Sequence, residues 1–355
     1  MSQFHNLQVA DVKRETVDTV SVGFEIPEQL KSDFSFEAGQ YLTLSFMING
    51  KEERRAYSIC SAPSEDIIRV AVKKVAHGLV SGYIAQELKA GDITKVMAPE
   101  GGFVIEAKAS NKKTYVAFAA GSGVTPIMSM AKSVAENEKG STFHLYYGNK
   151  DADSTIFKSD FDALVEANDN IKVTYIYTRQ DSGDDLTNGR ISENMTKQLV
   201  QRHNLVNADA FYLCGPEEMI INGSKGIEAA GVDESKIRFE LFTVPVLMES
   251  NSAEAEEGDF EGDAKIIVVY DDEEFEFTLN TKGDSILETA IDGGVDVPFS
   301  CKGAVCCTCK AKVIEGKAIM DANYALTDQE LADGYILTCT AHPVSAVVKV
   351  NYDDI

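Results

Sequence analysis

Four of the seven cysteines in this 355-residue sequence crowd into nine positions: Cys301, Cys306, Cys307 and Cys309. Cys301-x4-Cys306-x2-Cys309, separated by 29 residues from Cys339, is the spacing with which four thiolates hold a [2Fe-2S] cluster. Such a loop must bring three sulfurs to one side and aim backbone N–H groups at the cluster sulfides, and Gly303, Ala304 and Thr308 are small enough to permit it. Zinc also accepts four thiolates, but its sites usually come as two CxxC pairs. Cys307, lying between two ligands, reads as a filler. The five histidines (His5, His77, His144, His203, His342) are scattered and show no ligand spacing.

Four further motifs follow one another along the first two thirds of the chain. Arg55-Ala56-Tyr57-Ser58 sits on a β run, and Gly78-Leu79-Val80-Ser81 opens a helix whose free N–H groups suit a pyrophosphate. Gly121-Ser122-Gly123-Val124-Thr125-Pro126 follows an apolar strand as a Gly-rich turn into a helix, with Pro at the helix start. Pro126 takes the third glycine position, so the turn is not the GxGxxG fingerprint. Tyr212-Leu213-Cys214-Gly215-Pro216-Glu217 ends a strand and begins a helix.

These residues need three kinds of scaffold. From Leu7 to about Val96 short β runs (Val17 to Ile26, Tyr41 to Phe46, Arg54 to Cys60, Ile67 to Lys74, Ile93 to Met97) predict an antiparallel barrel with one helix near Leu79 to Leu88. From Lys112 strands alternate with helices and predict a five-stranded parallel sheet closed by Ile237 to Leu241. After an acidic stretch holding Glu249, Glu254, Glu256, Glu257, Asp259 and Glu261, a hairpin, a short helix and a closing strand predict a small α+β module. The net charge of -24 argues against nucleic acid. Of this, the residues from Glu249 onward carry 23 acids against 7 bases, so the last third is a distinct acidic object. With no h-region and no apolar run near the ~20 residues a bilayer demands, a cytoplasmic protein free of the membrane is expected.

The ordered set RAYS, GLVS, GSGVTP and YLCGPE resembles the ferredoxin-NADP reductase family over roughly residues 5–242. CKGAVCCTCKAKVIEG with YILTC resembles a plant-type ferredoxin. Together with YGNK (Tyr147 to Lys150) and DANYAL (Asp321 to Leu326), the chain is similar to oxygenase reductases of the phenylacetyl-CoA epoxidase type. The resemblance implies an antiparallel β-barrel flavin domain (1–108), an α/β parallel-sheet NAD(P) domain (109–244), an acidic linker (245–263) and a β-grasp-like ferredoxin domain (264–355). It implies FAD, a [2Fe-2S] cluster, and NADPH in preference to NADH as electron donor, with a di-iron oxygenase as acceptor. Arg55 would meet the flavin phosphate, Tyr57 would stack on the isoalloxazine, and Ser58 would bond near its N5. Gly78 and Ser81 would hold the pyrophosphate. Gly121, Gly123 and Thr125 would admit the nicotinamide nucleotide, Arg179 its 2'-phosphate, and Cys214 and Glu217 would flank the nicotinamide. Phe242 matches a family aromatic. Reductases of ring- or steroid-hydroxylating oxygenases, FMN-binding relatives, and a non-catalytic redox sensor are the competing readings. If Cys339 is a ligand and Cys307 a filler, Cys339→Ser should abolish or badly alter the reduced-state EPR signal while Cys307→Ser leaves it intact.

Overall fold

The computed structural model describes residues 4–248 and 260–354. Glu249, Glu254, Glu256, Glu257 and Asp259 of the expected linker lie outside the described residues. The described chain forms two compact units that meet in sequence between Phe242 and Thr243.

In the first unit, β1 (Phe4–Thr16), β2 (Thr19–Glu25), β3 (Tyr41–Ile48), β4 (Lys51–Ser58), β5 (Ile67–Lys73) and β6 (Ile93–Met97), with α1 (Leu79–Gln86), build the barrel. The strand order is β4-β3-β6-β1-β2-β5, and a bridge between Ile59 and Val70 joins its two ends. Asn49 (φ 54°) and Gly50 (φ 79°) make the tight turn from β3 to β4, the left-handed pair that matches hairpin twist. Leu7, Phe24, Leu42, Leu44, Val70 and Ile84 fill the core. The sequence reading begins its strands at Val17, whereas β1 occupies the thirteen residues before it. Register shifts between Val9 and Asp11 and between Arg14 and Thr16 break the two-residue alternation that would have marked it. Asp11 stays in the strand because Arg69 grips both its oxygens at 2.7 Å.

The nucleotide sheet comprises β7 (Thr114–Ala120), β8 (Thr142–Asn149), β9 (Ile171–Tyr177), β10 (Ala210–Cys214) and β11 (Ile237–Glu240), all parallel in the order β11-β10-β7-β8-β9. Its helices are α2 (Val124–Asn137), α3 (Lys158–Ala167), α4 (Glu193–Arg202) and α5 (Glu217–Ala229). Tyr115 to Ala119 of β7 are all buried, the continuous run expected of a strand covered on both faces. Ala38, Cys60, Phe103 and Ile105 from the barrel side share one core with Ile127, Met130 and Tyr212, so barrel and sheet are welded together.

Beyond Phe242, β12 (Asp263–Tyr270), β13 (Glu273–Asn280), α6 (Ile286–Asp292), β14 (Lys310–Glu315), β15 (Ala318–Met320), α7 (Asp328–Ala332), β16 (Tyr335–Leu337), β17 (Ala341–Pro343) and β18 (Val347–Asn351) form the second unit. The sheet order is β13-β12-β18-β14-β16, with β15 and β17 paired separately. Asp271 and Asp272 are both left-handed at φ 57° and 60° without a glycine. The Asp353 carboxylate accepts both their amides at 3.0 Å and stabilises the turn. Among the described residues no helix is long and apolar enough to cross a membrane.

The segment connecting barrel to sheet is fastened by Glu138, a wholly buried carboxylate. Its Oε1 accepts from the Lys108 amide (3.1 Å), Asn111 Nδ2 (2.6 Å) and the Tyr115 hydroxyl (3.3 Å), and its Oε2 from Ser141 Oγ (2.6 Å). Glu138→Ala strands these donors in the core and should cost about 3 kcal/mol or more in urea unfolding, with Glu138→Gln costing less because an amide oxygen still accepts.

Candidate functional site

The carboxyl ends of β7, β10 and β11 converge on one place. Gly121 (φ 55°) turns the chain out of β7, and the Tyr147 hydroxyl donates to its carbonyl at 3.1 Å. A Cβ on Gly123 would lie 2.1 Å from the Cys214 carbonyl oxygen and 2.6 Å from the Gly215 nitrogen, so only glycine allows these two turns to touch. Thr125 is buried, and its hydroxyl donates to the Ser122 carbonyl at 3.0 Å; it shapes the turn from inside. Cys214 is fully buried and pairs in register with Glu240. Burial, with Glu240 nearby, pushes the Cys214 thiol well above its ordinary value and keeps it neutral.

Ser58, at the end of β4, donates to Glu240 Oε2 at 3.1 Å. The barrel motif and the nucleotide sheet therefore meet in one hydrogen bond. Sequence reading passes over Glu240, which carries no spacing signal; its only mark is its position at the carboxyl end of the last parallel strand. Glu217, the acid singled out from sequence, is half-buried at the first position of α5. Burial pushes the Glu240 carboxyl up to about 8, against the lowering pull of the Ser58 bond. Tyr57 is half-buried and burial likewise raises its phenol. Arg55 is exposed, bonded to Glu53 Oε2 at 3.2 Å. Gly78 precedes α1, whose start has no side-chain cap, and Ser81 Oγ accepts from the Val75 amide at 3.4 Å. The uncapped start of α1 and the exposed Arg55 guanidinium are each groups that suit a phosphate. Arg179 is exposed just beyond β9, its amide donating to the Lys150 carbonyl. Phe242 is 42% exposed.

In the second unit the cysteines come as pairs. Cys306 and Cys301 sulfurs stand 3.1 Å apart, and Cys309 bonds Cys339. The two pairs lie close enough that Cys301 acts electrostatically on Cys339, and Cys306 on Cys309. Lys302 (φ 52°) and Ala304 (φ 59°) are left-handed, a winding that turns successive amides toward one anion. Cys306 and the amides of Gly303, Val305 and Cys306 pull the Cys301 thiol down to about 6. Cys309 together with the Ala304 amide pulls Cys339 down, while Cys306 and Cys309 are pushed up as donors to their partners. Cys307 bonds the Ala325 carbonyl at 3.6 Å. Lys302 and Lys310, beside the loop, are each paired, with Glu288 and Glu330.

A flavin-type barrel joined to a nucleotide sheet and followed by a four-cysteine sheet domain defines a class: a reductase that takes electrons from a pyridine nucleotide and passes them to an iron–sulfur centre. Comparison with known families agrees domain by domain. The oxidoreductase FAD-binding domain matches residues 6–105, the oxidoreductase NAD-binding domain residues 118–224, and the 2Fe-2S iron-sulfur cluster binding domain residues 268–344. The chain is 35% identical to a component of the 1,2-phenylacetyl-CoA epoxidase of Escherichia coli, over 99% of each chain. It is 31% identical to the ferredoxin reductase component of 3-ketosteroid-9-alpha-monooxygenase of Mycolicibacterium smegmatis, over 98% of this chain and 97% of the other. The solved phthalate dioxygenase reductase superposes over 98% of both chains with a TM-score of 0.58 and 25% identity. The chain belongs to the family of flavin-dependent oxygenase reductases that combine a ferredoxin-NADP reductase module with a C-terminal [2Fe-2S] domain, and it is an NAD(P)H-dependent oxidoreductase.

Because the Glu240 carboxyl holds its proton to about 8 in the fold and only to its ordinary 4.5 when unfolded, the folded state binds the extra proton between those values. Stability must therefore fall as pH rises across that window, by at most about 1.4 kcal/mol per pH unit. Glu240→Gln should flatten the dependence, measured as urea midpoints at pH 5 to 8.

Proposed function

We propose that this chain is the reductase component of an oxygenase system of the phenylacetyl-CoA epoxidase type, serving phenylacetate catabolism in the cytoplasm by drawing electrons from NADPH for a di-iron oxygenase. The observation that carries the reading is the bond from Ser58 to Glu240 beside Cys214, which unites the end of a barrel strand with the ends of two nucleotide-sheet strands. The likeness to the E. coli epoxidase component along the whole length of both chains supports the choice of oxygenase. Cysteines grouped for an iron–sulfur centre and not for a disulfide framework suit a reducing compartment.

A bound FAD would supply the exchange between two-electron and one-electron transfer, and a [2Fe-2S] cluster would supply a one-electron carrier. The protein's residues hold and orient. Arg55 and the main chain from Gly78 to Ser81 would hold the flavin phosphates, and Tyr57 would stack on the isoalloxazine. Ser58 and protonated Glu240 hold a proton between them, and Ser58 would bond near the flavin N5. Gly121, Gly123 and Thr125 form the turn that admits the nucleotide. Cys214, held neutral and buried, offers an apolar surface to the nicotinamide, and Glu217 borders the same opening. Arg179 binds the 2'-phosphate. Cys301, Cys306, Cys309 and Cys339 would supply the four thiolates of the cluster, and the loop amides would stabilise their negative charge.

Purified protein should reduce ferricyanide with NADPH, and should support product formation when mixed with the oxygenase components of phenylacetyl-CoA epoxidase but not with those of a ring-hydroxylating enzyme. The absence of dye reduction would favour a redox sensor instead. Arg179→Ala should raise KM for NADPH about tenfold or more and leave that for NADH nearly unchanged, since a lost charge-assisted bond costs ~1.5–3 kcal/mol.

A further inference from the structure

Val244 rests on the cysteine loop. A Cβ built on Gly303 would lie 2.2 Å from Val244 Cγ2. Gly303 is not among the residues with positive φ, so its backbone would tolerate a side chain; the space is what Val244 takes. The Gly303 amide donates to Cys301 Sγ at 3.4 Å. Val244 itself is 54% exposed, with one side on Gly303 and the other in solvent. The next residue, Pro245, is buried and fixes the backbone behind it. Val244 thus belongs to the compact unit of the cysteine domain, although it stands only four residues beyond Glu240 in sequence.

We infer that Val244 is a positioning residue for the iron–sulfur centre: it roofs Gly303, keeps water off the N–H···Sγ bond to Cys301, and thereby holds the reduction potential of the cluster down. The inference rests on the reading of Cys301 as a cluster ligand. Reduction adds one negative charge to a centre already bearing four thiolates, and water stabilises the more highly charged state. Exposure and hydrogen bonding at the sulfurs are the protein's means of setting such potentials. An apolar cap on Gly303 limits that solvation, so its removal must move the potential upward. The flavin and nucleotide motifs assigned above all lie in the first unit, and the flavin should not respond.

An EPR-monitored redox titration of the full-length holoprotein tests this. Val244→Ala should raise the cluster midpoint by up to about tenfold in the one-electron equilibrium, or 59 mV, while the flavin titration followed by visible absorbance stays as in the wild type. Val244→Ile preserves the roof and should keep the wild-type potential. Gly303→Ala, whose Cβ pushes Val244 aside, should reproduce the rise, and the double substitution should add nothing further, because both remove the same contact. An unchanged or lowered potential in Val244→Ala, or shifts that add fully in the double variant, would overturn the inference. A distinct failure is visible in the same series: if Cys301→Ser leaves the wild-type signal and potential untouched, the ligand reading falls and the inference with it.

Discussion

The arrangement of the first unit turns on a close approach between two stretches of backbone. Gly123 lies so near Cys214 and Gly215 that even a methyl group would overlap a carbonyl oxygen. With no side chain between them, the turns after β7 and β10 form one continuous floor at the carboxyl edge of the sheet, the place where open parallel sheets bind ligands. Parallel pairing of β10 with β11 sets Cys214 beside Glu240, and Ser58 reaches Glu240 from the barrel. The shared core of Phe103, Ile105, Met130 and Tyr212 holds the two halves in that relation, and Glu138 fixes the connection between them.

Residues that announce themselves by spacing were legible before any fold was known. The Gly-rich turn follows β7 and Cys214 ends β10, places that a local chain geometry dictates. The parallel sheet was equally legible, since buried runs such as Tyr115 to Ala119 alternate cleanly with amphipathic helices. β1 was not, because its bulges shift the alternation and its charges are neutralised by partners far along the chain, as Asp11 is by Arg69. Glu240 was not, because a single glutamate in a short strand has no pattern; its surroundings exist only once Ser58 folds against it. Strands β14 to β17, three to six residues long, are too short for periodicity to register.

Charge in the second unit is less one-sided than its composition. Lys265 pairs with Glu276, Lys349 with Glu274, Lys302 with Glu288, Lys310 with Glu330 and Lys312 with Asp354. Such exposed pairs contribute little to stability, but they spread the few cations among the many acids. Around the cysteine loop itself, the positive influence on the sulfurs comes from amide dipoles of Gly303, Ala304 and Val305, which salt screens far less than it screens a surface lysine.

The position of β18 bears on how this protein is made. It lies between β12 and β14, paired parallel with one and antiparallel with the other, yet it is translated after all the other strands of its sheet. Until the ribosome releases it, the first hairpin and the strand behind the cysteine loop have no shared partner, and Asp353 is not there to secure the turn at Asp271. The thiols then stand on an unfinished sheet with raw edges, open to oxidation and to pairing with other nascent chains. The scaffold behind the cysteine loop is therefore complete only once β18 has joined the sheet.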